Sequence, residues 1–100
     1  MSLTAIDGEN ITVSTIAIGP TASKITRRVE MGVFWLKSGG KIYHNIKTPP
    51  TDAGVTGDMG QSLDDRWEIW GQDNVKNFKM IKRTSEADAV VAVQYFGTGS

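Results

Sequence analysis

The chain has no cysteine. No disulfide framework, thiolate zinc site or cysteine nucleophile can be built from it, and the composition fits folding in a reducing cytoplasm. Histidine is nearly as scarce. His44 is the only one, so no set of imidazoles can share a transition metal. An excess of charge is missing too: 11 Lys and Arg balance 11 Asp and Glu, for a formal net charge of +0. Nucleic acid or an anionic membrane as main partner needs a basic excess on one face, so neither is expected. The absence of long-range self-repulsion leaves copies free to approach one another. No hydrophobic run approaches the ~20 residues of a membrane span. The start, Met1-Ser2-Leu3-Thr4-Ala5-Ile6-Asp7, has neither a basic stretch nor a long apolar one, so no cleaved leader is expected. Asn10-Ile11-Thr12 matches a glycosylation sequon, which without a secretion signal is a chance match.

What remains is an ordinary soluble composition, 39% hydrophobic and 22% charged, over 100 residues. That is one domain, 1–100, burying roughly 65% of the surface its unfolded form exposes. Residues 1–8 read as a flexible N-terminal arm and 97–100, Gly-Thr-Gly-Ser, as a flexible tail. Glu9 to Ile18 is rich in Ile, Val and Thr and reads as strand, with a change of phase near Thr15 that suggests a bulge or a strand buried on both sides. Gly19-Pro20 stops it.

Ile25 to Leu36 fits two periods. At period two, Ile25, Arg27, Val29, Met31, Val33 and Trp35 share a face; at period 3.6, Ile25, Val29, Val33 and Leu36 do. Gly32 and the β-branched residues favour strand. Ser38-Gly39-Gly40 then turns the chain into Lys41–Ile46. From Lys47 to Asp65 the pattern gives way to Pro49, Pro50, Gly54, Gly57 and Gly60, a long loop. Arg66–Trp70, Asn77–Arg83 and Ala87–Phe96 read as three more strands, with turns at Gly71–Asn74 and Thr84–Glu86. The last is apolar at both parities, the mark of a central strand or of one pressed against another subunit. About seven strands with one long loop make an all-β fold, a small antiparallel β-sandwich or partly closed barrel.

Several motifs carry a family resemblance over Met31–Phe96: Gly32-Val33-Phe34-Trp35, then Pro50-Thr51-Asp52-Ala53-Gly54, then Trp67-Glu68-Ile69-Trp70-Gly71, then Asn77-Phe78-Lys79-Met80-Ile81-Lys82, and last Ala87 to Tyr95. In this order they resemble small all-β proteins encoded among the virion genes of tailed bacteriophages and prophages. The Asp-Gly expected ahead of the Pro-Thr loop is replaced by Ile46-Lys47-Thr48-Pro49. The resemblance implies a structural part of a particle, a head decoration protein or a neck or tail component. It would fold in the host cytoplasm and reside in the virion. The implied partners are other copies of the chain and a capsid or neck/tail protein.

No catalytic constellation accompanies this. There is no Gly-x-Ser-x-Gly and no phosphate-binding glycine loop ahead of a helix, so no enzyme and no cofactor are expected. His44, between Ile42 and Ile46, reads as a core histidine. Asp52 and Asp58 flank Gly54 and Gly57 without the ligand alternation of a calcium loop, so no metal site is expected. Asp64, Asp65, Glu68 and Glu86 read as charge partners for Arg66 and the lysines rather than as a glycosidase pair. Trp67 and Trp70 have opposite parity, so one of them leaves the core. The candidates for intermolecular contact are Trp70, Tyr95, Phe96, Met59, Leu63 and Trp35. The alternative reading is a carbohydrate-binding module, with Trp35 or Trp70 stacking on a sugar beside Gln72, Asp73 and Asn74.

Overall fold

A computed structural model describes residues 3–51 and 58–98. It is an antiparallel β-sandwich. The strands are β1 (Thr4–Val13), β2 (Val29–Ser38), β3 (Ile42–Asn45), β4 (Met59–Gln61), β5 (Arg66–Trp70), β6 (Lys79–Lys82) and β7 (Ala89–Gly97), with one short helix, α1 (Gln72–Asn77). A four-stranded sheet runs β1-β7-β2-β5 and a three-stranded sheet runs β4-β3-β6. The two do not close into a barrel.

The period-two pattern of β7 decides the core. Ala89, Val91, Val93 and Tyr95 point inward and are buried, while Val90, Ala92 and Phe96 are half-covered on the outer face and Gln94 is exposed. Phe34 and Leu36 of β2 and Ile11 and Val13 of β1 join the inward set. Opposite them stand Ile42, Met80 and Phe78. Phe34 meets Phe78 across the sandwich with ring centroids 4.7 Å apart.

Several elements differ from the sequence expectation. The N-terminal residues are not a loose arm: Thr4, Ala5, Asp7 and Gly8 pair with Gly97, Phe96, Tyr95 and Gln94. A long apolar β7 needs a neighbour on each edge, and β1 supplies one. Gly97 belongs to β7 rather than to a tail, and a Cβ there would collide with the Arg28 carbonyl oxygen. Met1, Ser2, Gly99 and Ser100 lie outside the described residues.

The strand expected over Glu9–Ile18 ends at Val13. The change of phase at Thr15 is the point where the chain leaves one sheet for the other. The Lys82 amide donates to the Ser14 carbonyl at 2.9 Å, and Ile18 and Met80 exchange main-chain bonds at 2.9 and 2.6 Å. This crossing segment closes one side of the sandwich along β6.

The strand expected over Ile25–Leu36 starts only at Val29, after a 3-10 turn at Ala22–Lys24 that buries Ile25. The long loop contains β4, paired with β3 through Ile42–Gln61 and His44–Met59. Gly71–Asn74 is not a simple turn. Gly71, at φ 96°, opens α1, whose Val75 plugs the core.

Candidate interaction surface

The outer face of the four-stranded sheet has no layer over it among the described residues. Strand register sets its content. Phe96 pairs with Met31, and Met31 with Trp70, so these three form a row across β7, β2 and β5. The next row is Gln94, Val33 and Glu68, and the one after is Ala92, Trp35 and Arg66. Met31, in the middle of the first row, is buried, while Trp70 at its end is 55% exposed.

Polar groups fix the indoles. The Trp70 Nε1 donates to Glu68 Oε1 at 3.0 Å, and the Trp35 Nε1 donates to Asp64 Oδ1 at 3.0 Å. The Arg66 guanidinium lies 5.0 Å above the Trp35 ring, within cation–π range. Two open hollows result. One, of about 440 Å³, is lined by Val33, Trp35, Arg66, Ala92 and Gln94. The other, of about 600 Å³, lies among Val33, Arg66, Glu68 and Trp70.

Trp35, Trp70 and Phe96 of the expected contact residues therefore come together. Met59 and Leu63 do not join them: Met59, 60% exposed, sits on β4, and Leu63, 56% exposed, is on the turn before β5. Tyr95 is a correction. It is fully buried, and its hydroxyl donates to Glu9 Oε2 at 2.6 Å, so it is not a surface anchor. Alternation separates the two faces of β7 but does not say which faces inward. Burial pushes the Tyr95 hydroxyl pKa far up, and the neighbouring Glu9 charge adds to this. Burial alone would raise the Glu9 carboxyl, but donations from Thr21 and Tyr95 outweigh it and hold that group below its usual range.

Met31 and Val33 were not among the expected contact residues, and Arg66 and Glu68 were read only as charge partners. Parity already grouped Met31, Val33 and Trp35. What was missing was the register that sets β5 beside them.

The other side of β5 borders a groove of about 440 Å³ between the sheets, lined by His44, Ile46, Met59, Gln61, Trp67 and Ile69. Trp67 is stacked between Phe34, at 5.6 Å and 11°, and His44, at 5.4 Å and 8°. Its Nε1 is buried without a hydrogen-bond partner among the described residues. The Gln61 amide nitrogen lies 3.2 Å from His44 Nε2. An amide nitrogen only donates, so His44 accepts there as the neutral ring. Burial pushes the His44 pKa down to about 4, against the opposing pull of the Asp58 charge. A catalytic proton shuttle near neutrality is not what this environment makes.

Asp52, one of the two loop carboxylates weighed against a calcium loop, lies outside the described residues. Asp58 receives the Asn45 amide at 2.9 Å and the Thr51 amide N–H at 3.0 Å. Among the described residues no three His, Asp or Glu side chains cluster to hold a metal ion, and no helix is long and apolar enough to cross a membrane. Of the polar groups considered beside Trp70 for a sugar, Asn74 spends one amide hydrogen on the Trp70 carbonyl at 2.8 Å. No family model, no curated protein and no solved structure matches this chain.

Proposed function

We propose that this chain is a non-enzymatic structural subunit that works by assembly. Its outer sheet face would be buried against copies of itself and against a larger capsid or tail protein. The setting, a tailed-phage virion, rests on the resemblance of the sequence motifs alone. The observation that carries the assembly reading is the Phe96–Met31–Trp70 row, with Trp70 left 55% exposed at its end.

The magnitudes fit such a role. Covering the open half of an indole removes roughly 100 Å² from water, about 2–3 kcal/mol at the usual coefficient. Association costs about 4–15 kcal/mol before any net affinity appears. Trp70 alone cannot meet that, but Phe96, Val33, Trp35 and Ala92 on the same face extend the apolar area. Glu68 and Arg66 at the edge cancel in charge, so no field opposes a second copy.

Light scattering on the eluting protein tests this. The expected result is a multimer at high concentration and retention on empty particles, both weakened by Trp70→Ala. A strict monomer that also fails to bind particles would reject it.

A further inference from the structure

We propose that the free edge of β5 is a homodimer interface. Two copies pair antiparallel about a two-fold axis at Trp67, so that Arg66 of each chain lies opposite the partner's Glu68. This rests on the assembly reading and names its first contact.

Sheet edges are templates for pairing unless they are blocked. Among the described residues, three of the four edges are blocked or short. The crossing segment Ser14–Ile18 bonds along β6. β4 has only 3 residues. β1 carries a bulge between Ala5 and Asp7, and its acidic side chains are tied to Lys24 and Thr21. β5 has no such device. Its register with β2 runs without a shift, and it contains neither Pro nor Lys.

The main-chain bonding of β5 fixes which groups are free. The Leu36 amide donates to Asp65 at 3.0 Å, and the Gly71 amide donates to Glu30 at 2.7 Å. Bonding alternates along an antiparallel ladder. Asp65, Trp67, Ile69 and Gly71 therefore face β2, while the amides and carbonyls of Arg66, Glu68 and Trp70 point away from the sheet. The Trp70 carbonyl is taken by Asn74.

Only registers that oppose free groups to free groups can form. Pairing centred on Glu68 sets two carboxylates directly opposite, which is unfavourable. Pairing centred on Trp67 sets Arg66 against the partner's Glu68 twice over, and each such pair exchanges both main-chain bonds. Both charges are already positioned on the outer face, Arg66 by the Trp35 ring and Glu68 by the Trp70 indole. Less side-chain freedom is then lost on pairing. The product is one continuous sheet across two copies, with their aromatic faces joined side by side.

The test is sedimentation of the full chain and its charge variants, with circular dichroism as the fold control. Arg66→Glu and Glu68→Arg should each weaken the dimer about tenfold or more, since two attractive pairs become repulsive. The double variant R66E/E68R should recover it. Mixing the two single variants, one with two anions at the edge and one with two cations, should give a heterodimer. Single variants that associate like the wild type, or a double variant and a mixture that recover nothing, would overturn the edge pairing and leave face-mediated assembly standing. A wild-type chain monomeric at every concentration would overturn both. Register is read separately, because the chain has no native cysteine. A mixture of Arg66→Cys and Glu68→Cys chains should form a heterodimeric disulfide. Ready linkage of Glu68→Cys to itself would overturn the Trp67-centred register.

Discussion

The Tyr95 hydroxyl donates to the Glu9 carboxylate over 2.6 Å, joining residues 86 apart in the chain. The same carboxylate accepts from the Thr21 hydroxyl at 2.6 Å and from its amide at 3.0 Å. One acidic side chain thus ties β7, β1 and the segment that follows β1.

Tyr95→Phe should destabilise the fold by about 1 kcal/mol at neutral pH, the loss of one charge-assisted hydrogen bond discounted for the solvent reaching Glu9. The folded-state pKa of Glu9 is depressed, so its contribution is full above the unfolded value of 4.5 and is lost as pH falls through the lower folded value. The gap in unfolding free energy between wild type and variant should hold at pH 7 and narrow on acidification below that range. Denaturant titrations at several pH values measure it.

His44 acts with the same sign for a different reason. Its folded pKa is about 4 against 6.5 for the free group, so the unfolded chain binds the proton more readily. Stability should be full above pH 6.5 and fall between there and about pH 4. Allowing for screening at its open side, the loss attributable to His44 at pH 4.5 is about 1–2 kcal/mol. As the only histidine, it gives an unambiguous ring signal whose NMR titration should stay flat through pH 6.

Gly39 sits at φ 94° in the turn from β2 to β3. A Cβ there would lie 2.6 Å from the Asp88 carbonyl oxygen and 3.0 Å from the Ala89 Cβ. Gly39→Ala should cost about 1–3 kcal/mol through backbone strain and crowding. A lower denaturant midpoint with an unchanged slope is the expected signature.

The sandwich was legible because β-branched and aromatic runs at period two mark most of its strands. β4 was not, since Met59-Gly60-Gln61 has no β-branched residue and takes its pairing from β3. Helix α1 was hidden for a related reason: its 6 residues bury only Val75. The crossing at Ser14–Ile18 depends on β6, far along the chain, so local pattern shows a change of phase and not its cause. At the surface, the aromatics were visible but their arrangement was not. Trp70 and Phe96 are neighbours only through Met31, and Tyr95 differs from Phe96 by one step of parity that decides core against surface.

Trp70 offers the most direct measurement of the central claim, because its indole contributes little to the core of its own chain. Sedimentation equilibrium of wild type and Trp70→Asp should separate association from folding. The wild-type mass is predicted to rise with concentration above the 10.9 kDa of one chain and past that of an edge-paired dimer, while the variant goes no further than the dimer and unfolds within about 1–2 kcal/mol of wild type. A wild-type chain that remains a single 10.9 kDa species at all concentrations, or a variant that associates equally well, would contradict it.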